Sequence, residues 1–392
     1  MERIILHIDV NSAFLSWSAL KLLKEGYKKD IRSEVSVVAG DPNKRHGVIV
    51  AASIPAKKIG IKPPTNLYEA RRLCSDLIVV RPDYNFYKLC SSKLIAFLKY
   101  LFPSVEQFSI DECFVDYTDV KKKYGNEVEF AHKLKDEIYR RFGFTVNIGI
   151  GNNKLCAKMA SDFEKPNKVH TLYLDEFKDK VWNLDISELF MAGKSSCSKL
   201  RSMGINTIGE LANSDLNLLI SKLKSHGKLL YEYANGIDNS LLNTDSYNDR
   251  KSISFSKTLE FSTDNPNKIY DALLEFSIKI EKLLKEKHFY AHTVTVTIRN
   301  DEFQTTSHQK KLLNSVYLKD DIYSNAKDLF HKMWDEDKVR LIGLGVSDFS
   351  ESYVYQISLF DETIEEDNID KVIRNINKKF GKDIIKKGKN DL

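Results

Sequence analysis

Cysteine is scarce in this chain: five in 392 residues, and no two of them form a C-x-x-C pair. Cys74, Cys90, Cys113, Cys156 and Cys197 are scattered, which argues against a zinc site or disulfide framework and fits a reducing cytoplasm. Long apolar runs are also missing. Stretches such as Leu77 to Val80 fall far short of the ~20 residues that a membrane span needs. No leader of basic and then apolar residues precedes the strand-like Ile4, Ile5 and Leu6, so no signal peptide is expected. Nor is there a large charge of one sign, since 60 Lys/Arg face 55 Asp/Glu. What remains, 42% hydrophobic and 29% charged residues, is the composition of a folded globular chain long enough for two to four domains.

The small basic excess is local. Residues 1–170 carry 28 Lys/Arg and 20 Asp/Glu. The stretches 171–244, 252–349 and 350–392 are each one acid in excess, and 245–251 is balanced. A basic first half is compatible with a polyanionic partner.

Patterning predicts the organisation. Residues 3–9 alternate as a strand that ends on Asp9, and 83–101 reads as a helix. Val105, Phe108 and Ile110, then 113–115, predict two short strands around Asp111-Glu112. Apolar or aromatic residues at 130, 131, 134, 138, 139 and 142 predict a helix over 127–142; a strand at 145–150 and a helix at 153–163 follow. With 11–76 set aside as an insertion, the order is β-α-β-β-α-β, that of a ferredoxin-like core. Residues 171–244 read as short helices separated by glycines, and 243–251 as an exposed polar linker. A second β-α-β-β-α-β pattern runs over 253–346, with Val294, Val296 and Ile298 alternating with threonines. The fold class is therefore α+β and multi-domain.

Three carboxylates carry the chemistry. Asp9 ends the first strand, and Asp111 and Glu112 lie between two strands of the same core. Central strands of a ferredoxin-like sheet are neighbours, so these side chains can meet at one edge. Carboxylates that meet repel one another unless a cation neutralises them. Hard oxygen ligands with room for phosphates suit Mg²⁺, and two such ions clamp the attacking and leaving oxygens of a phosphoryl displacement. Taken singly, each residue has an ordinary reading as a strand cap or an acidic turn.

The runs around them are more specific. Ile8-Asp9-Val10-Asn11-Ser12-Ala13-Phe14, Phe108-Ser109-Ile110-Asp111-Glu112-Cys113-Phe114, Gly149 to Lys158 and Asp162-Phe163-Glu164-Lys165-Pro166-Asn167 resemble the Y-family, or translesion, DNA polymerases, in that family's order and spacing. The resemblance spans nearly the whole chain. The opening run is closer to the polymerase V branch, the length and tail to the polymerase IV branch. It implies a palm (1–10 and 77–170) with inserted fingers (11–76), a helix-hairpin-helix-like thumb (171–244), a linker (245–251), a second ferredoxin-like domain called the little finger (252–349), and a tail (350–392).

The resemblance also implies roles. Asp9, Asp111 and Glu112 match the metal-binding carboxylates, with the Val10 carbonyl as a further ligand of two Mg²⁺ ions. Phe14 matches the ring that excludes a 2′-OH; alone it would read as a core Phe beside Leu15 and Trp17, but its place five residues after Asp9 favours the sugar-excluding role. Lys57 and Lys165 match triphosphate contacts. Ile54 and Lys57 stand where the family's usual Tyr and Arg do, which removes a hydrogen-bond donor and a bidentate fork, and Lys58 is a candidate substitute. Gly193 and Lys194 match a hairpin that offers N–H groups to a DNA phosphate, with Met191 in place of the first hairpin glycine. Lys257, Arg299, Lys310 and Lys311 are the cations that could gather on one DNA-facing surface of the little finger. Gln356-Ile357-Ser358-Leu359-Phe360 resembles the peptide that bacterial polymerases insert into a sliding clamp. The expected partners are primer-template DNA, deoxynucleoside triphosphates and the clamp, with a monomer off DNA, in the cytoplasm. No exonuclease domain is apparent, which implies low fidelity. A nucleotide cyclase on a shared palm fold and a non-catalytic DNA-binding scaffold are the rival readings; the hairpin and clamp-like peptide argue against the first, the intact carboxylate set against the second.

Overall fold

Ile5–Val10 (β1) is buried at every position, so both faces of this strand are covered. In the computed structural model, which describes residues 3–40, 47–244 and 251–353, the chain divides into two units, 1–249 and 250–392, and β1 lies mid-sheet in the first. After it come α1 (Ala13–Lys24), β2 (Ser36–Ala39), β3 (Ile49–Ala52), α2 (Ile54–Lys58), α3 (Leu67–Leu73) and β4 (Ile78–Val80). Then follow α4 (Tyr84–Leu101), β5 (Val105–Gln107), β6 (Glu112–Asp116), the one-turn α5 (Lys121–Tyr124), α6 (Glu127–Phe142), β7 (Val146–Gly151), α7 (Lys154–Asp162) and β8 (Val169–Leu172). The main sheet is ordered β5-β6-β1-β7-β8. Its first four strands with α4 and α6 form the expected ferredoxin-like core, and β8 adds to it parallel to β7.

Alternation along β1 explains the placing. Leu6, Ile8 and Val10 share a core with Leu94 and Leu98 of α4 and Leu134 and Ile138 of α6. Ile5 packs on the other face with Phe114 and Ala157. Each fully buried Leu or Ile stabilises by about 1.5–3 kcal/mol, so the apolar stripe dictates the register. A one-residue slip would bury Asp9 in the wrong face. Gly149 and Gly151 let α7 lie directly on β7: a Cβ at Gly149 would stand 2.0 Å from the Ala157 carbonyl oxygen. The helix α6 starts where Asn126 accepts from the Val128 and Glu129 N–H groups and ends at Gly143, with φ at 78°.

The insertion has its own sheet, β3-β2-β4. Because β4 pairs in parallel with β2, Ser36 against Ile78, the insertion extends past the expected boundary at 76. A short apolar run such as Leu77 to Val80 carries no signal of which sheet it will join. The helix α1 serves both parts: Ala13 and Trp17 face the main core, Leu15 and Ala19 the insertion.

Residues beyond β8 form the expected short helices: α8 (Phe177–Val181), a 3₁₀ turn (Ile186–Glu188), α9 (Lys194–Ser202), α10 (Ile208–Ala212), α11 (Leu216–Leu223) and α12 (Ser225–Ala234). They share a core with Leu155 and Met159 of α7. Thr207 and Glu210 cap α10 reciprocally. Of the expected linker only Lys251 is among the described residues.

The second unit has β9 (Ser252–Thr263), α13 (Pro266–Lys287), β10 (Tyr290–Asn300), β11 (Thr305–Val316), α14 (Lys319–Met333) and β12 (Val339–Ser350), the element order expected. Its strand order is β11-β10-β12-β9, which departs from a ferredoxin-like sheet. In the first unit the third core strand, β6, fills the slot between β1 and β5; here the last strand, β12, fills the slot between β9 and β10. Burial accounts for this. Ile342, Leu344 and Val346 are covered, as a central strand requires, whereas Thr305 to Lys311 are exposed and suit only an edge.

Candidate active site

Antiparallel pairing of β1 with β6 sets Asp9 opposite Glu112. The Val10 N–H donates to the Asp111 carbonyl (3.0 Å), which fixes the turn before β6. In that turn the Ser109 hydroxyl donates to Asp111 Oδ1 (2.7 Å) and accepts from the N–H groups of Asp111 (3.2 Å) and Glu112 (3.1 Å). Asp9, Val10, Phe14, Lys57, Asp111, Glu112 and Lys165 all line one cleft of about 880 Å³. Lys58, exposed on α2, is not among its lining residues.

Each carboxylate is engaged by a different neighbour. Lys165 Nζ contacts Asp9 Oδ2 and stands 2.7 Å from Asp162 Oδ1. Lys158 Nζ lies 3.2 Å from Glu112 Oε1 and 3.3 Å from Asp162 Oδ2. His7 is wholly buried beneath Glu112, with Nε2 at 3.4 Å from Oε2 and Nδ1 at 2.8 Å from Ser161 Oγ. Burial pushes the Asp9 carboxyl up, against the pull of Lys165. Burial acts the same way on Glu112, but His7 and the Lys158 ammonium outweigh it and bring that carboxyl down to about 2. Burial works against the Lys165 ammonium, and Asp9 and Asp162 overcome it, so its pKa is raised. Burial pushes His7 below its ordinary value, against the pull of Glu112.

Among the described residues no group of three or more His, Cys, Asp or Glu side chains is gathered closely enough to hold a metal ion as it stands. The donor set nevertheless fits a hard cation. Asp9, Asp111, Glu112 and Val10 border one cleft, and positive charge already sits on Asp9 and Glu112 in the form of lysine ammoniums.

Phe14 stacks on Tyr87 (ring centroids 4.8 Å, planes 12° apart) and meets Tyr84 edge-on at 5.9 Å. It also lines the cleft, so the core reading and the cleft-wall reading hold together. Lys57 Nζ donates to Ser12 Oγ (3.1 Å). Burial lowers the Lys57 pKa, with Lys165 adding to the effect, so two ammoniums face one cleft. Ile54 lines the same wall without a polar group.

Elsewhere the expected DNA contacts fare unevenly. Met191 has φ at 70°, the left-handed conformation that favours glycine, so a strained residue stands where the resemblance implies the first hairpin glycine. Gly193 caps α9, and Lys194 opens it, exposed. In the second unit the four cations do not share a face. Arg299 lies with Thr295, Thr297, Ser254 and Ser256 along a trough of about 470 Å³. Lys311, opposite Thr293, is in phase with Arg299 and lies 3.3 Å from Asp348. Lys257 pairs in register with buried Ile342 and reaches Glu275 of α13 at 3.7 Å, and Lys310 pairs with buried Val294 and donates to Asn325 of α14 at 2.9 Å. The period of two along each strand sends these two lysines to the helix side. Gln356, Leu359 and Phe360 lie outside the described residues.

Sequence reasoning missed His7, Lys158 and Ser109. His7 shares Asp9's face of β1 by the two-residue period, and Lys158 lies one helical turn before Asp162, so both carried a readable signal.

Comparison with known proteins follows the same lines. Residues 8–162 match the impB/mucB/samB family and residues 250–359 its C-terminal domain. The DNA polymerase IV of Clostridium acetobutylicum is 44% identical over 388 residues, covering 98% of this chain and 97% of that protein. The DNA polymerase IV of Clostridium kluyveri is 35% identical, covering 99% and 98%. DNA polymerase IV 1 of Bacillus subtilis is 31% identical, covering 99% and 93%. In fold, a Y-family DNA polymerase chimera of Dbh and Dpo4 aligns with a TM-score of 0.77 at 24% identity, over 88% of this chain and 98% of the chimera.

Proposed function

The chain belongs to the impB/mucB/samB family of Y-family DNA polymerases and is a DNA-directed DNA polymerase of the polymerase IV type, and we propose that it extends a primer 3′-OH by two-metal phosphoryl transfer, with low fidelity, in translesion synthesis. The observation that carries this is the single cleft bordered by Asp9, Asp111, Glu112, Phe14, Lys57 and Lys165.

In this reading Asp9, Asp111, Glu112 and the Val10 carbonyl hold two Mg²⁺ ions. Such ions, when bound, neutralise the triphosphate and the primer oxygen. The chain's own task is positioning. Ser109 orients Asp111, and His7 with Lys158 keeps Glu112 ionised and in place. Lys57 and Lys165 meet the triphosphate as point charges, and the Ser12 hydroxyl beside Lys57 supplies a donor that Ile54 lacks. Phe14 walls off the sugar. Val50, Ala51 and Ala52 also line the cleft.

The half-buried Arg299 and the exposed Lys311 are the second unit's candidates for duplex phosphate contacts, and Gly193 and Lys194 those of the hairpin. The segment 356–360 is the candidate clamp peptide. No helix among the described residues is long and apolar enough to cross a membrane; cytoplasmic residence, and a monomer off DNA, complete the reading.

The test is primer extension with Mg²⁺ on undamaged and abasic templates. Extension on both, with frequent misincorporation, is the expected result. Binding of primer-template without extension would favour the scaffold, and cyclic-nucleotide formation the cyclase.

A further inference from the structure

We propose that two buried amides, Asn11 and Asn147, position Lys165 for the incoming triphosphate; this rests on the reading of Lys165 as a triphosphate contact. Lys165 stands in the segment 163–168, between the end of α7 and the start of β8, where neither helix nor strand holds the chain. Apart from the Ile148 N–H, which donates to the Lys168 carbonyl (3.0 Å), the hold comes from two side chains.

Asn147, on β7, is fully buried. Its Oδ1 accepts from Asn11 Nδ2 (3.0 Å) and the Lys168 N–H (3.2 Å), and its Nδ2 donates to the carbonyls of Ser161 (3.0 Å) and Glu164 (2.7 Å). Every donor and acceptor position of this amide is thereby used. Asn11 Oδ1 accepts from the Asn167 N–H (2.9 Å), where the backbone turns through φ of 62°. The two amides therefore grip the backbone at 161, 164, 167 and 168, on both sides of Lys165.

Asn11 is itself fixed. It follows Val10, its N–H donates to the Thr145 carbonyl (3.0 Å), and its carbonyl accepts from the Ser16 hydroxyl (2.7 Å). The relay thus runs from the end of the strand that carries Asp9 to the backbone that carries Lys165. An apolar pair could fill the same space, but it would not select one backbone position. A buried amide does select one, because any displacement leaves a desolvated polar group unpaired. Asn11 and Asn147 are positioning residues, acting on the nucleotide only through Lys165.

The test is steady-state single-nucleotide insertion by the full chain with a defined primer-template and Mg²⁺. Lys165→Ala should raise KM for the nucleotide about thirtyfold, with a smaller change in kcat, as for lost ground-state binding by a charged group. Asn147→Ala should raise KM about tenfold, and Asn11→Ala about threefold, with the same split. In the double variant Asn147→Ala/Lys165→Ala, KM should equal that of Lys165→Ala alone. Melting curves establish that each variant is folded; if Asn147→Ala is not, Asn11→Ala and Asn147→Ser carry the same comparison. Multiplicative effects of Asn147→Ala and Lys165→Ala would overturn the relay and leave Lys165 as a triphosphate contact. An unchanged KM for Lys165→Ala would overturn both.

Discussion

Replacing Phe14 by Ala separates what the ring does for the fold from what it does for the substrate. Full burial of a Phe is worth about 3–5 kcal/mol against Ala. Phe14 is only partly buried, with one side on the cleft, so about half of that applies, about 2 kcal/mol. The figure includes the stack on Tyr87, a geometry worth about 0.5–1.5 kcal/mol beyond area. In a unit of 249 residues each kcal/mol moves Tm by about 2–4 °C, so a fall of about 4–8 °C is expected. The effect on sugar choice is separate. Forcing an extra oxygen against a filled wall costs about 1–3 kcal/mol, a five- to 150-fold bias against ribonucleotides of which the ring is the source. Loss of the ring should shrink that bias by the same factor. Insertion of a ribonucleotide and its deoxynucleotide counterpart by the same preparation, with melting measured alongside, gives both numbers. A folded variant whose sugar preference is unchanged would refute the wall and leave Phe14 as core alone.

Three further outcomes are expected. Met191→Gly should raise Tm by one or two degrees, because relief of a left-handed non-glycine outweighs glycine's own entropy and the burial lost at this half-exposed site by about 0.5 kcal/mol; a lowered Tm would contradict the strain. Lys154→Ala should lower Tm by about 6–12 °C, since it strips the nearly buried Glu106 carboxylate of its ammonium partner at 2.8 Å, a loss of about 3 kcal/mol; an unchanged Tm would show the pair contributes nothing. Leu359→Ala with Phe360→Ala should leave unassisted extension intact and abolish stimulation by a loaded clamp, because docking only raises local concentration. An equal defect without any clamp would return the pair to the fold.

Much of this was legible because local pattern and local chemistry agree. The two-residue period of 3–9 and the helical spacing of 127–142 report burial directly, and β1 and α6 stand where those patterns put them. The cleft was legible through Asp9, Asp111 and Glu112, whose runs are specific and whose strands are neighbours. What was not legible depends on partners far off in sequence. Nothing in Leu77 to Val80 says that this strand pairs with Ser36 to Val38, and nothing in 339–350 says that it will lie between β9 and β10. The cations of the second unit were misgrouped for the same reason, since only the register shows that Lys257 and Lys310 turn toward the helices while Arg299 and Lys311 do not. Sequence alone does not separate Lys57, at the usual arginine position, from its neighbour Lys58; of the two only Lys57, with Ser12, borders the cleft.

In the proposed function Asp9, Asp111 and Glu112 form the centre at which nucleotides are joined to a primer. The most direct test measures primer extension and primer-template affinity side by side for the wild-type chain and for Asp111→Ala and Glu112→Ala. Duplex binding rests on phosphate contacts, and the carboxylates act in the chemical step. The wild type should extend the primer, both variants should bind primer-template about as tightly, and neither should extend it. Extension by either variant at near the wild-type rate would contradict the proposed function.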